Sequence, residues 1–355
     1  MVIFLGTTGT AGSPAECATT IGPCWREAEM TSDGLVRWGI VGTANIARAQ
    51  FLPALRQAGG AASAVAGRDA ARAEKYAREN GIDRAITGYQ ALIEDPGIDA
   101  LYIPLPNSLH AEWTIRALQA GKPVLCEKPL CGRLADTERV LAAAMETGTL
   151  LWEAFVFPFH DQLRQVREML EAGAIGEVAE IASNFHFPLS GQPNIRLSPQ
   201  LDGGALLDVG CYPVRLAQEL FGTGHESAWA RWVIGPDGVD VDTWGVLGYP
   251  GGRRLMLSCG FRRSYDTFTR LEGTRGSIHL SNPFHPGPAD TCRVLAAGAP
   301  PREVAASSGE PSFTAAIRHI NGVILGELQP RLLAIQTSLE TARALDDLAR
   351  AAAAG

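Results

Sequence analysis

Short apolar runs alternate with stretches of helical period through the first half of the chain. Val36–Val41, Ala61–Ala66, Ala100–Ile103, Val124–Cys126 and Leu150–Ala154 read as strands, with a further short one near Ala85-Ile86. Between them, helical periodicity covers Ile46–Ala58, Ala70–Asn80, Leu109–Ala120 and Leu134–Thr147, with a helical turn at Tyr89–Ile93. Gly81 and Gly121 stand where helices stop, and Pro53 should kink or restart the first helix. Strand–helix alternation of this kind predicts a parallel sheet with helices on both faces. Right-handed crossovers then make it a doubly wound, Rossmann-like α/β domain.

The rhythm changes after a helix over Asp161–Ala172. A strand at Val178–Phe187, a Pro- and Gly-rich loop at Pro188–Gly204 and a helix at Ala205–Phe221 precede five strands with no helix between them. These are Ser227–Ile234, Thr243–Tyr249, Leu255–Gly260, Thr267–Glu272 and Gly276–Leu280, and helices at Phe313–Leu325 and Leu332–Ala353 close the chain. The pattern predicts an α+β domain with an open, mainly antiparallel sheet. We therefore divide the chain into a leader (residues 1–34), a nucleotide-binding domain (35–155) and a substrate and oligomerisation domain (156–355), whose C-terminal helices can pack back on the first. Met1–Glu29 fits no helix or strand period and has no Lys or Arg ahead of its apolar Val2–Leu5. It reads as a disordered leader, with Met30 an equally good start and an ordered arm the alternative.

Composition narrows the function. The 355 residues carry 31 Lys+Arg against 38 Asp+Glu, a net charge of −7 that argues against a protein built to grip nucleic acid. No apolar run is long enough to span a membrane. Seven scattered cysteines form no C-x-x-C pair and stand near no His cluster at zinc spacing, so we expect a reduced, cytoplasmic setting and no metal.

The first strand runs into Gly42-Thr43-Ala44-Asn45-Ile46-Ala47, a G-x-G-x-x-G variant with Ala at its second and third small positions. Small residues there let the backbone approach a pyrophosphate, with helix amides pointed at it. At the tip of the second strand stands Arg68, where NAD enzymes place an acidic residue. A guanidinium suits a 2′-phosphate, so NADP(H) is favoured over NAD(H). Two more segments fall at the carboxyl edge of the sheet, Leu105-Pro106-Asn107-Ser108-Leu109-His110 and Cys126-Glu127-Lys128-Pro129-Leu130. A third, Gly203 through Asp208 to Tyr212-Pro213, opens the first long helix of the second domain.

With Glu127-Lys128-Pro129 and the downstream Asp208-x-Gly210-x-Tyr212, the chain from Val36 onward resembles the glucose–fructose oxidoreductase / inositol dehydrogenase / rhizopine-catabolism (Gfo/Idh/MocA) family. The resemblance implies that Lys128 is the catalytic lysine and Tyr212 the acid/base, where other members have histidine. It also implies that Leu105, Pro106, Asn107 and His110 flank the nicotinamide, with Glu127 and Lys128 beside it. The chemistry is sound in itself, because a cation stabilises charge growing on a carbonyl oxygen while a hydroxyl supplies the proton. A neighbouring ammonium should also favour the Tyr212 phenolate.

Tyr212 points within the family to sugar-acting oxidoreductases, including xylose and dihydrodiol dehydrogenases. Those aldose and diol enzymes tend to carry Arg where Pro158 stands here. Leu105–Trp113, Arg164–Glu177 and Gly203–Arg215 are similar to 3-ketoreductases that act on dTDP-linked 3,4-diketo-2,6-dideoxyhexoses. The implied reaction is NADPH-dependent reduction of the C3 keto group; aldose or dihydrodiol oxidation is the alternative. A non-catalytic NADP-binding sensor is the alternative of another class. Asn184, His186, Arg196, Asp208 and Tyr212 are the expected sugar-binding residues. His160 and His186 flank aromatic residues and read first as packing, with proton shuttling left open. Family members associate through the open sheet, so a homodimer or homotetramer is expected.

Overall fold

Six short strands, β1 (Arg37–Val41), β2 (Ala61–Gly67), β3 (Arg84–Thr87), β4 (Ala100–Ile103), β5 (Val124–Cys126) and β6 (Leu151–Glu153), pair in the order β3-β2-β1-β4-β5-β6, every pair parallel. The computed structural model describes residues 34–189, 194–287, 289–306, 309–329 and 333–355, so the leader proposed from sequence lies, but for Gly34, outside the described residues. Strand order reverses between β1 and β4, and the crevice beyond their carboxyl ends is where an open α/β sheet binds ligands. The turn after β1 and the loop after β4 both open there.

Helices α1 (Leu52–Gln57), α2 (Ala70–Asn80), α3 (Tyr89–Ile93), α4 (Asn107–Gln119) and α5 (Leu134–Thr147) join these strands. The first helix neither stops nor restarts at Pro53: from Asn45 it takes a π-helical turn at Ala47–Phe51 and runs on into α1, so the N–H that Pro53 lacks falls where regular α bonding is already interrupted. α2 is capped by Asp69, whose side chain accepts from the Arg72 amide at 2.7 Å, and ends on Gly81 in the left-handed region at φ +62°.

The second sheet has eight strands: β7 (Val178–His186), β8 (Ser227–Ile234), β9 (Asp240–Tyr249), β10 (Arg253–Gly260), β11 (Asp266–Gly273), β12 (Gly276–Leu280), β13 (Thr291–Ala296) and β14 (Arg302–Ala305), in the order β14-β13-β12-β11-β7-β10-β9-β8. All neighbours are antiparallel except β7 with β10. β13 and β14 have no counterpart in the sequence reading. They are short, lie at one end of the sheet with β14 its edge strand, and β14 has only Val304 and Ala305 as apolar residues, which leaves little apolar signal.

One face of this sheet is apolar and buried. Ile181, Phe185, Leu247, Leu255, Leu257 and Leu271 share a core with Val214 and Leu216 of α7 (Cys211–Phe221), Leu163 and Val166 of α6 (Asp161–Glu171), and Leu345 and Leu348 of α9 (Leu333–Ala353). The other face leaves Trp229, Trp244, Met256 and Phe268 exposed, one on each of four strands.

Although it follows the second sheet in the chain, α8 (Ser312–Ile324) packs on the first domain. Its Ile317, Ile320 and Val323 belong to the core of the first domain with Trp38, Ile40, Phe51 and Tyr102, and the Asn321 Oδ1 accepts from the Trp38 indole at 3.0 Å. α9 spans both units, since Ile335 and Leu339 pack on the first domain's other core while Ala344 to Ala352 pack on the second.

Candidate active site

The segments singled out from sequence converge on a cleft of ≈ 670 Å³ between the sheets. Ala44, Asn45 and Ile46 line one wall, Leu105, Pro106 and Asn107 the next, and Glu127, Lys128, Arg196, Asp208 and Tyr212 the centre. Gly42 makes the first turn possible. Its φ is +101°, and a Cβ there would come within 2.9 Å of the Leu105 side chain, so glycine both permits the turn and keeps the two loops close. Thr43 follows half-buried, and Arg68 is exposed just past the end of β2. A narrow small-residue turn, with a guanidinium at the end of the next strand that has no partner among the described residues, fits a dinucleotide carrying a 2′-phosphate. Ala44–Ile46 and Leu105–Asn107 would hold its pyrophosphate and nicotinamide ends. When bound, such a group supplies a hydride.

Lys128 follows β5, and Asp208 comes from the π-helical turn Leu206–Gly210 that opens into α7. Lys128 Nζ donates to the Asp208 carbonyl at 2.6 Å and to Asp208 Oδ1 at 3.1 Å, and lies 5.0 Å from the Tyr212 ring centroid. Arg196 Nε donates to Asp208 Oδ2 at 2.6 Å, so both carboxylate oxygens are engaged. Burial works against both charges. For Asp208 the cations outweigh it and the pKa is lowered; for Lys128 the anionic neighbours, Asp208 foremost, outweigh it and the pKa is raised. The pair is therefore ionised at neutral pH.

Tyr212 is nearly buried among Phe155, Phe157, Phe185 and Phe284, with ring centroids 5.2 to 6.2 Å from its own. Burial pushes its pKa far above the ordinary phenol value, and the Lys128 ammonium offsets only part of that. This corrects the expectation of a phenolate, because desolvation of the anion is the larger effect. Tyr212 is a protonated acid beside a cation, suited to giving a proton to an oxygen on which negative charge develops.

The helix bearing Asp208 and Tyr212 is set by Asp240, at the start of β9. Asp240 Oδ2 accepts from the Leu206 amide at 2.7 Å and the Thr243 hydroxyl at 2.8 Å. Gly204, at φ +121°, lies against this carboxylate, and a Cβ there would collide with it. The Lys128 loop is held similarly, with Glu153 Oε1 accepting from the Leu130 amide at 2.7 Å and Glu127 Oε1 accepting from the Tyr102 hydroxyl at 2.6 Å.

Three expected contact residues stand elsewhere. His110 is fully buried, its ring nitrogens 3.0 Å and 2.7 Å from the Pro129 and Leu105 carbonyls; it braces the two loops beneath the cleft and has no surface to offer a cofactor. Asn184 and His186 alternate with Phe185 along β7, so they project from the opposite face of the sheet. Asn184 donates to Asp266 at 2.6 Å and accepts from the Phe268 amide at 2.7 Å, while His186 pairs with the Ser258 hydroxyl at 2.7 Å. Phe185 takes the cleft position instead. Strand alternation was the available signal. His285, which also lines the cleft, lies in a Pro-rich loop with no motif, and nothing in the sequence placed it there.

Comparison with known proteins agrees with this geometry. Residues 36–155 match the model of an oxidoreductase family with an NAD-binding Rossmann fold, and 163–279 match the GFO/IDH/MocA C-terminal domain. A dTDP-3,4-didehydro-2,6-dideoxy-alpha-D-glucose 3-reductase of Streptomyces violaceoruber is 42% identical over 71% of this chain and 74% of that protein. A D-xylose 1-dehydrogenase (NADP(+)) of Haloferax volcanii is 38% identical over 71% and 77%. The crystal structure of a 3-ketoreductase from Actinomadura kijaniata in complex with NADP and TDP-benzene superimposes with a TM-score of 0.81 at 34% identity, covering 89% of this chain and 97% of that one. Two matched domains, in the order and on the folds just described, show that this chain is an oxidoreductase of the GFO/IDH/MocA family.

Proposed function

We propose that the chain is an NADP(H)-dependent keto-sugar reductase, acting on the C3 keto group of a dTDP-linked 3,4-diketo-2,6-dideoxyhexose. The observation that carries this reading is the Lys128 ammonium, held on Asp208 and set against a protonated Tyr212. As hydride adds to the carbonyl carbon, the C=O π pair moves onto oxygen. Tyr212 gives its phenolic proton to that oxygen, and the resulting phenolate is stabilised by Lys128. Asp208 orients the lysine, and its lowered pKa makes it a poor base. Arg68 supports NADP over NAD, and NADP accompanies two of the similar proteins. Arg196 offers the rest of its guanidinium to the cleft, a donor set suited to a phosphorylated or polyhydroxylated substrate.

The substrates named for those relatives share an oxygen on the carbon next to the one that reacts. The test follows NADPH absorbance with purified protein against dTDP-linked keto-deoxysugars, and NADP reduction with free aldoses and dihydrodiols. Turnover of the dTDP-linked panel alone is expected. Turnover of free aldoses or diols alone would overturn the substrate and leave the mechanism. We also propose that the exposed Trp229–Trp244–Met256–Phe268 face joins two copies of the chain, which a solution mass of one protomer would contradict.

A further inference from the structure

Most polar side chains around the centre of the cleft are already committed. Asp208 is divided between Lys128 and Arg196, Glu127 accepts from Tyr102, and Asn107 Nδ2 donates to the Asp202 carbonyl at 2.8 Å. His285 differs. Its ring is open to the cleft and has no hydrogen bond among the described residues, and its centroid lies 5.7 Å from that of Tyr212 and 5.7 Å from that of Phe185.

The position is held from several sides. Phe284, fully buried, stacks on Phe185 at 5.6 Å and 8°. Asn282 Nδ2 donates to the His285 carbonyl at 2.6 Å, while its Oδ1 accepts from the Thr267 hydroxyl at 3.0 Å. Asp290 closes the loop by accepting from the Ser281 hydroxyl at 2.9 Å and the Gly287 amide at 2.7 Å. A cleft side chain anchored in this way, with its own ring nitrogens unused, is the arrangement of a preorganised recognition group.

Loss of solvent to the protein walls around it first, and the Lys128 ammonium second, lower the His285 pKa to about 4, so the ring is neutral at physiological pH. A neutral imidazole offers one N–H and one lone pair, which serves a hydroxyl or a carbonyl equally. Oxygens on adjacent sugar carbons lie within hydrogen-bonding distance of each other. Tyr212 and His285 both line the cleft with ring centroids 5.7 Å apart, so one substrate can meet both.

We infer that His285 is a specificity-determining residue that hydrogen-bonds the oxygen on the substrate carbon next to the reacting carbonyl carbon. The inference rests on the sugar-oxidoreductase reading above and adds which oxygen pair the site recognises. Without that second oxygen, a substrate leaves the imidazole without its partner; without the imidazole, the substrate oxygen loses its own.

The test measures kcat/KM for wild type, His285→Ala and His285→Asn on two substrate pairs. One is a dTDP-linked keto-sugar and its counterpart deoxygenated at the neighbouring carbon; the other is D-xylose and its 2-deoxy counterpart. On the oxygenated member that wild type turns over, His285→Ala should lose roughly tenfold, and His285→Asn should recover part of that. On the deoxygenated member the two variants should match wild type. The NADPH dissociation constant, read by fluorescence, should stay unchanged in both variants and shows that the fold persists. Equal losses on both members of a pair, or no loss on either, would overturn the role of His285 while the reductase reading stands. Turnover of xylose alone would overturn the proposed nucleotide-sugar substrate, and the xylose pair would still decide the histidine. Turnover of neither pair would overturn both.

Discussion

Asp208 holds the Lys128 ammonium with two oxygens of one residue, its backbone carbonyl at 2.6 Å and its Oδ1 at 3.1 Å. The two residues are eighty positions apart and come from different domains, so the contact joins the nucleotide-binding sheet to the helix that carries the proton donor. The same carboxylate accepts from Arg196, and the two cations hold its pKa below the ordinary carboxylate value, which makes it a poor base. A cation fixed by so weak a base supports Tyr212 as the group that moves the proton.

Replacing Lys128 with Ala removes the charge that stabilises both the developing alkoxide and the Tyr212 phenolate. Turnover is expected to fall about 10²- to 10⁴-fold while NADPH still binds in a fluorescence titration. Undiminished function in this variant would place the chain among cofactor-binding sensors.

Tyr212→Phe deletes only the hydroxyl and leaves the ring in its cluster with Phe155, Phe157, Phe185 and Phe284. The reduction rate should drop about 10²- to 10⁴-fold with the melting temperature nearly unchanged. A melting temperature lowered in step with activity would show that the hydroxyl serves the fold.

The pH dependence has a definite sign. A proton donor works below its own pKa, and burial has moved that of Tyr212 upward, while Lys128 is also shifted upward. Single-turnover reduction should therefore stay flat from about pH 6 to about pH 9, where a histidine donor of ordinary pKa, about 6.5, would lose rate with rising pH. A decline centred near neutrality would exclude Tyr212 as the donor.

Arg68→Ala should raise KM for NADPH by about 10- to 100-fold and leave that for NADH nearly unchanged, because only the former carries the phosphate that a guanidinium grips. Equal changes for both cofactors, measured at saturating second substrate, would remove Arg68 from the cofactor site.

Asp240→Ala leaves the Leu206 amide and the Thr243 hydroxyl without their buried acceptor. Stability in urea should fall by about 1–3 kcal/mol. The reduction rate should fall beyond what the folded fraction explains, because the helix holding Asp208 and Tyr212 loses its cap. Full activity per folded molecule would confine Asp240 to stability.

How far the site could be read in advance depended on the kind of signal. Ala44, Lys128, Asp208 and Tyr212 lie in local motifs, and each reaches the cleft because its segment follows a strand end or opens a helix. Asn184 and His186 were misplaced because polar type was weighed above strand alternation, which assigns Phe185 to the cleft and its neighbours to the opposite face. His285 and Asp240 were not legible at all: one reaches the cleft from a loop after β12 and the other supports a helix from the start of β9.

The amino-acid sequence alone determined the alternation of strands and helices and the doubly wound first domain, since these depend on periodicity and on residues close in the chain. Tertiary structure decided which sheet α8 covers, that β7 and β10 run parallel, and that Tyr212 keeps its proton. Those outcomes depend on burial and on contacts between distant segments. A hydrophobic face specifies that it will be covered but not by what, and a pKa follows from the solvent a side chain loses only once the whole chain has closed around it.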